Sequence, residues 1–311
     1  MKKRYAIIAI IGLLIFGIVF FAGPFRHRKG HSNEANGGKK VKKETTQTKE
    51  TKPMQSVETT QPEPTPPIQI IEENYANLPN ELHSWWIKRN KDHVPSGAQD
   101  IVDLEKYNAY YLDSNADEKV MYLTFDCGYE NNCTPSMLDT LKQEEVPAMF
   151  FVTQTYIRDN LELIQRMKEE GHLVGNHTVS HPSLPKQDAA ANRDEWMNCE
   201  EYMQEATGYP MDKYARPPMG EYSERTLQIS KDLGYKTVFW SFVYMDYQVN
   251  NQPGEGYVLD LFKQYHHNGG IILMHNISKT NEKALPAIIQ YLKGEGYRFG
   301  SLDEISNTAS Q

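Results

Sequence analysis

The feature that most constrains the fold of this chain is a helix ending that occurs three times. A charged, helix-like turn stops at a glycine and an apolar stretch follows it, at Gly171, Gly234 and Gly296. Glycine just past a helix is typical of the left-handed residue that closes a helix C-terminus. From Val120 onward, short apolar strands therefore alternate with amphipathic helices, and this alternation predicts an α/β fold.

Polar side chains follow five of the predicted strands, at the point where each strand ends. They are Asp126, His177, Arg216, Asp246 and His275. In parallel α/β folds, ligands and catalytic groups gather at the carboxyl edge of the strands. Five such residues predict one common site at that edge.

Two histidines offer metal-ligand spacing. His177 and His181 lie four residues apart in GNHTVSHP. On one helical turn, imidazoles at this separation face the same way and can share a metal ion, although surface histidines at this spacing are commonplace. Two imidazoles are too few for a closed structural site, so a metal held here would keep open positions for water and would suit catalysis.

The other polar residues each allow a structural and a catalytic interpretation. Asp126 either caps the turn after its strand or acts as a general base beside a metal-bound water. Arg216 forms an ordinary salt bridge or holds Asp126 ionised. His275 is a core histidine or, with Asp246 as its partner, a protonated general acid. Taken together, a metal, a base, an acid and an arginine suit metal-assisted hydrolysis of an ester or amide.

Helix starts and cysteines give further local expectations. Thr134, followed by proline, is predicted to be a helix N-cap, and Ser223 is predicted to cap the helix after it. Three cysteines, an odd number, cannot form a closed disulfide framework, and we expect no structural disulfide. Cys199 lies in a helix-like run and is predicted to be a small core residue.

The N-terminal part of the chain predicts a membrane anchor and a spacer. An uncharged apolar run from Tyr5 to Phe25 is long enough to span a bilayer and lacks a good A-x-A cleavage pattern. We therefore expect an uncleaved single-pass anchor over residues 1–29, with a cleaved signal peptide as the alternative. Residues 30–67 contain almost nothing to bury and are expected to be a disordered linker. Either outcome places the body of the protein outside the cytoplasmic membrane, tethered or secreted.

The body divides into an extension and a main domain. Residues 68–119 are aromatic-rich and are expected to pack on the catalytic domain, 120–311, or alternatively to supply a sugar-stacking surface. Residues 1–52 carry 12 Lys and Arg against 3 Asp and Glu, so the remainder has a formal net charge of -17. An acidic body lacks the basic face of a nucleic-acid-binding protein, and we expect no nucleic-acid partner.

From about Val120 to Ile305 the chain resembles the polysaccharide deacetylases of the NodB-homology type, carbohydrate esterase family 4. Five family motifs occur in order: TFDCG, HTVSH, RPPMGEYS, VFWSFVYMDY and IILMH. Among family members, the sequence looks most like the delta-lactam-biosynthetic de-N-acetylases, which act on muramic acid in peptidoglycan, notably in the spore cortex. The resemblance implies a distorted (β/α) barrel with fewer than eight strands.

The resemblance also implies a role for each motif residue. Asp126 matches the base, Arg216 the residue that orients it, Asp246 the acid that tunes its partners, and His275 the general acid. The remaining matches are metal ligands at His177 and His181, and substrate-binding positions at Tyr222 (a backbone amide donor to the oxyanion), Pro218, Tyr247 and Trp240. The implied cofactor is a divalent metal, zinc first, with manganese or cobalt as alternatives.

Two positions depart from the family pattern. Cys127 occupies the position of the third metal ligand, usually an aspartate, and either binds the metal as a thiolate or packs as a neutral group. Tyr247 stands where relatives often have tryptophan, which keeps an aromatic wall.

The function implied is N-deacetylation of N-acetylmuramic acid in a peptidoglycan glycan strand, with muramic delta-lactam as the eventual product. An amidase that strips the peptide is the functional partner implied. One alternative substrate is N-acetylglucosamine in the same polymer. An alternative of another class is an inactive scaffold that binds wall glycan, for which Cys127 is the best support.

Overall fold

The computed structural model describes residues 72–305 except residue 117. The predicted anchor and linker therefore lie outside the described residues. In the part of the chain that is described, no helix is both long and apolar enough to cross a membrane.

The described residues form short strands and helices that alternate along most of the chain. The strands are β1 (His83–Ser84), β2 (Ile87–Lys88), β3 (Gly97–Ala98), β4 (Ala109–Tyr110), β5 (Val120–Cys127), β6 (Ala148–Val152), β7 (Leu173–Asn176), β8 (Tyr214–Ala215), β9 (Glu221–Tyr222), β10 (Lys236–Val238), β11 (Gly270–His275) and β12 (Arg298–Phe299). The α-helices are α1 (Glu72–Tyr75), α2 (Thr134–Gln143), α3 (Gln154–Asp159), α4 (Leu161–Glu169), α5 (Ala189–Thr207), α6 (Glu224–Asp232), α7 (Glu255–Tyr265) and α8 (Lys279–Gly294).

The main sheet is parallel and curved. Its strands run in the order β11-β5-β6-β7-β8-β10-β4, and β12 pairs with the first residues of β5. The segment that follows β10 lies beside β11, at the other end of this strand order. There Phe242 forms a parallel bridge to Ile272, and its carbonyl accepts a hydrogen bond from the Leu273 amide (2.9 Å). The α/β prediction is confirmed. The expectation of fewer than eight strands is wrong for the described residues, because the two-residue strands β4 and β12 join the sheet.

Both faces of the sheet are buried, as a parallel sheet requires. Because successive side chains of a strand point to opposite faces, β5 divides its residues between two cores. Val120 and Tyr122 belong to a cluster inside the curved sheet, together with Phe151 of β6. The alternate residues, from Met121 to Cys127, pack among side chains of α2 and α8 on the outer face.

The helix ends agree with most of the sequence predictions. Gly171, Gly234 and Gly296 have φ of +83°, +83° and +86°, which confirms the left-handed closures. Ser223 caps α6 and accepts a hydrogen bond from the amide of the third helical residue. Thr134 is not an N-cap but the first residue of α2. The Glu130 carboxylate accepts hydrogen bonds from the amides at the start of this helix.

The N-terminal extension packs against the main sheet and the loop that carries β9. Its β4 joins the main sheet beside β10, and its β1 pairs with β9. Trp85 is buried, stacks on Phe239 at 4.6 Å between ring centroids, and donates from Nε1 to the Trp240 carbonyl (3.0 Å). Trp85 is therefore a packing residue.

All three cysteines are buried free thiols. Cys199 lies on α5 in the main hydrophobic core, which confirms the prediction for this residue.

Candidate active site

A cavity of about 830 Å³ opens at the carboxyl ends of β5, β7 and β11. Of the residues predicted from sequence, six line it: Asp126, His177, His181, Trp240, Tyr247 and His275. Arg216 and Asp246 are fully buried and hydrogen-bonded to lining residues. Residues far apart in sequence meet here because the strands that carry them are parallel neighbours.

Asp126 is held by a buried arginine. Arg216 Nη1 donates to Asp126 Oδ1 (2.8 Å) and to Thr124 Oγ1 (2.8 Å). The other guanidinium nitrogens donate to the carbonyls of Val238 (2.9 Å) and Phe239 (3.2 Å), so the arginine cannot turn away. Burial alone would raise the pKa of Asp126, but the charge and hydrogen bond of Arg216, together with the charges of His177 and His275, outweigh it, and the pKa lies below its usual value. Asp126 is thus ionised, with Oδ2 left free of the arginine.

The sheet register places the base and the candidate acid side by side. His275 is the last residue of β11 and pairs directly with Asp126 of β5. On the other side of Asp126, His177 Nε2 lies 3.6 Å from Oδ2.

The two metal-ligand histidines lie in a loop rather than on a helix. Their rings nonetheless converge, with centroids 4.8 Å apart at an angle of 76°. Left-handed residues at Thr178 (φ +73°) and His181 (φ +57°) fold the loop back on itself. The Thr178 amide donates to Asn176 Oδ1 (2.9 Å), and the His181 amide donates to Thr178 Oγ1 (3.0 Å). The predicted helical turn is therefore wrong, while the predicted convergence of the two rings is observed.

The donor chemistry of these rings fits a divalent metal. His177 Nδ1 is 2.8 Å from the Arg216 carbonyl, which accepts a hydrogen bond from the Nδ1–H group and so leaves the Nε2 lone pair for a ligand. Burial lowers the pKa of His177 to about 4, and burial likewise lowers the pKa of His181, so both rings are neutral, as metal ligands must be. Across residues 72–305 no group of three or more His, Cys, Asp or Glu side chains forms a closed metal site. The protein would supply two imidazoles and leave the other positions open.

The opposite wall of the cavity holds the candidate acid. Asp246 Oδ1 is 2.7 Å from His275 Nδ1, and Asp246 Oδ2 accepts hydrogen bonds from the His275 amide (2.7 Å) and Asn281 Nδ2 (2.6 Å). Burial would lower the pKa of His275, but the charge and hydrogen bond of Asp246 outweigh it and raise the pKa above its ordinary value. His275 can therefore carry a proton at neutral pH and present Nε2 to the cavity.

Cys127 does not reach this site. As the neighbour of Asp126 on β5, its side chain points to the outer face, where it packs in the core with residues of α2 and lies 3.9 Å from the Phe125 carbonyl. Burial raises the pKa of the Cys127 thiol well above its usual value. Of the two alternatives for Cys127, the geometry favours a neutral packed group.

Replacing Cys127 with alanine is expected to leave the affinity for a divalent metal such as zinc, and the kcat for acetate release, within about twofold of wild type, because the thiol packs with residues of α2 rather than in the cavity. The substitution should lower the free energy of unfolding, because it removes a buried sulfur from the core. Zinc titration and acetate release measure the first expectation, and denaturant unfolding measures the second. A tenfold loss of zinc affinity would instead make Cys127 a ligand.

Two predicted substrate-binding residues lie behind the cavity wall. The Tyr222 side chain is buried, its hydroxyl accepts from Gln99 Nε2 (2.6 Å), and its backbone pairs with His83 of β1. Pro218 is buried as well. Neither lines the cavity; Met219 and Gly220, between them, do so. Met219 has φ +59°, a left-handed backbone conformation.

Aromatic side chains form much of the remaining wall. Tyr247 is half-exposed and meets the His275 ring edge to face at 5.8 Å between centroids. Trp240 lies deeper, close to Gly220, where an added Cβ would sit 2.8 Å from the indole. The lining residues that sequence reasoning missed include Tyr129 and Asn276, although each lies within three residues of a motif acid or histidine.

The chain is similar to known deacetylases in sequence and structure. Residues 113–238 match the polysaccharide deacetylase family. Over 230 residues the chain is 43% identical to the peptidoglycan-N-acetylmuramic acid deacetylase PdaA of Bacillus subtilis, covering 73% of this chain and 87% of that protein.

Solved structures give the same grouping. The structure of PdaA, a family 4 carbohydrate esterase, superposes with a TM-score of 0.70, over 73% of this chain and 98% of that one. A family 4 carbohydrate esterase from Bacillus anthracis, 38% identical, gives 0.60 over 73% of this chain and 97% of that one. A B. anthracis family pseudoenzyme, BA3943, is 25% identical and gives 0.59 over 68% of this chain and 72% of that one. With the predicted motif residues gathered at one cavity and these likenesses along most of the described sequence, the chain belongs to the polysaccharide deacetylase family, carbohydrate esterase family 4.

Proposed function

We propose that this protein hydrolyses the N-acetyl group of N-acetylmuramic acid in peptidoglycan. The observation that carries the proposal is the pairing, in one cavity, of an ionised carboxylate with a histidine whose pKa is raised, beside two neutral imidazoles. Those groups are a base, an acid and two metal ligands, the parts that amide hydrolysis needs. The similarity to PdaA supports muramic acid as the sugar.

In the proposed reaction, the acetamide enters the cavity between the two histidine-bearing walls. Asp126 accepts a proton from the attacking water, and Arg216 keeps that carboxylate fixed and charged. His177 and His181 would hold a divalent metal, zinc in this proposal with manganese or cobalt as alternatives, which would supply Lewis-acid polarisation. As the C–N bond breaks, His275 gives its proton to the sugar nitrogen, so acetate and a free amine separate.

A backbone donor is still needed for the developing oxyanion. Because Tyr222 pairs with β1 and does not line the cavity, we assign this role to the Met219 amide at the cavity wall. The left-handed turn at Met219 is the reason for that assignment.

The product and the cellular site follow from the proposed substrate. A muramic acid freed of its acetyl group carries an amine that can close onto its own lactyl carboxyl as a delta-lactam, the form found in spore cortex. An N-terminal anchor and a linker of about 40 residues would let a catalytic domain outside the membrane reach wall glycan. An amidase that strips the peptide beforehand would act as a functional partner.

Mass spectrometry of muropeptides tests the choice of sugar. Peptidoglycan and peptide-stripped glycan are each treated with the zinc-loaded protein and digested to disaccharides. Loss of acetyl from muramic acid, with lactam, supports the proposal. Loss of acetyl from glucosamine alone would move the activity to the N-acetylglucosamine deacetylases, of which a Listeria monocytogenes enzyme is 34% identical over 60% of this chain and 39% of that protein.

The Asp246→Asn variant is expected to move the alkaline limb of the kcat profile to lower pH. The Asp246 carboxylate raises the pKa of His275, and the acid is active only while protonated, so rate is lost as pH rises through that pKa. Without the Asp246 charge, the loss of kcat begins at lower pH. Asp260→Asn, an exposed residue on α7, makes the same charge change and should leave the limb in place. Superimposable profiles for wild type and Asp246→Asn would remove His275 as the acid.

A further inference from the structure

We propose that Glu130 and Asn276 act as positioning residues, forming a clamp that ties the loop after β5 to the end of β11 and so fixes the base and the acid relative to each other. The proposal rests on the proposed deacetylation for its catalytic consequence. The clamp itself is a set of contacts outside the five family motifs.

Glu130 is the centre of the clamp. Its Oε1 accepts from the amides of Cys133 (2.8 Å) and Thr134 (3.2 Å), which caps the N-terminus of α2. Its Oε2 accepts from the Thr134 hydroxyl, from the Tyr156 hydroxyl of α3 (3.0 Å) and from Asn276 Nδ2 (3.1 Å). A residue serving only as a helix cap would need the first two contacts, whereas this carboxylate joins three elements.

Asn276 makes the connection from the other side. It directly follows His275 and is fully buried. Besides Glu130, its Nδ2 donates to the Tyr129 carbonyl (2.9 Å) and to Thr134 Oγ1 (3.0 Å). Its own backbone amide lies 3.4 Å from the Asp126 carbonyl. One side chain thus holds the loop that begins at the base to the strand that carries the acid.

A second bond reinforces the same junction. Asn131 Nδ2 donates to the Ile277 carbonyl (2.9 Å), again joining the loop after β5 to the residues that follow His275. The junction also sets the place of Tyr129, whose ring lines the cavity and is 74% exposed while its carbonyl is bound. The loop therefore presents the solvent-exposed ring of Tyr129 on a backbone that is held in place by hydrogen bonds.

The clamp matters because the reaction needs base and acid on the two sides of one amide. Asp126 and His275 are the last register pair between β5 and β11, so the direct pairing of these two strands ends with them. Beyond that point, the contacts of Glu130 and Asn276 replace strand pairing. Since misplacement by about 1 Å can cost about a hundredfold in rate, a loosened junction should lower kcat.

The test compares Glu130→Gln, Asn276→Ala and the double variant with wild type. Acetate release gives kcat and KM, thermal unfolding gives Tm, and hydrogen exchange reports on the amides of residues 128–133. We expect each single variant to lower kcat by about tenfold, and the double variant to lose little more than the worse single variant, because both residues act through one junction. Hydrogen exchange at the amides of residues 128–133, in the loop after β5, should become faster in Asn276→Ala, although the substituted residue follows β11.

Asp188→Ala is the matched control, since Asp188 is a carboxylate that caps α5 by accepting from the Ala191 amide (2.7 Å) and does not line the cavity. It should lower Tm without changing kcat. The clamp is overturned if Glu130→Gln and Asn276→Ala behave like this control, or if their effects on kcat simply multiply. Hydrogen exchange tests the clamp independently of catalysis. If wild type released no acetate, the deacetylase proposal would fail. Unchanged exchange at residues 128–133 in Asn276→Ala would then overturn the clamp as well.

Discussion

Replacing Asp126 with asparagine is expected to lower kcat for acetate release by about a thousandfold, because a positioned general base contributes about 10² to 10⁴. The amide cannot take the proton of the attacking water. Its oxygen can still accept from Arg216, which also keeps its bonds to Thr124, Val238 and Phe239, so the fold should survive. Kinetics on a variant whose circular dichroism matches wild type make the measurement.

The control for Asp126→Asn is Asp139→Asn, an exposed carboxylate on α2 that pairs with Arg166. It changes the same charge at the surface and should keep wild-type kcat. Zinc binding should persist in Asp126→Asn if the two histidines supply the protein ligands. Acetate release at a wild-type rate in Asp126→Asn would refute the assignment of the base.

Replacing Arg216 with methionine is expected to lower the free energy of unfolding by about 3 kcal/mol or more, because it leaves a buried carboxylate without its partner. Arg216 is fully buried, and its hydrogen bonds go to Asp126, Thr124 and two carbonyls. The folded fraction should also lose activity, since Asp126 would no longer be held ionised. Denaturant unfolding followed by tryptophan fluorescence measures the first effect and acetate release the second.

Arg158→Met gives the comparison for a surface pair. Arg158 contacts Asp159 at 2.8 Å, but both side chains are more than half exposed, and such pairs contribute about 1 kcal/mol or less. A loss in Arg216→Met as small as in Arg158→Met would mean that the buried pair does not stabilise the fold as argued.

The positions of the main site residues were predictable from the sequence because parallel strands end at a common edge. Asp126, His177 and His275 each stand at the end of an apolar run, and the structure places all three at one cavity. The glycine closures were predictable for a local reason, since a left-handed φ favours glycine.

What sequence reasoning missed depends on backbone detail or on distant contacts. The spacing of His177 and His181 suggested a helical turn, but left-handed residues inside the loop bring the rings together instead. Strand alternation could have placed Cys127 opposite to Asp126, had the strand been known to continue through it. The contact of Glu130 with Asn276 joins residues 146 positions apart, and no local pattern predicts it.

The decisive measurement is the release of acetate from purified peptidoglycan by the zinc-loaded protein, with free amino groups on the glycan counted in the same sample. The assembled base, acid and ligand pair predict equal amounts of acetate and new amine, abolished by chelation and by Asp126→Asn. Tight binding to the glycan with neither product, under zinc, manganese or cobalt, would contradict this and leave a binding scaffold.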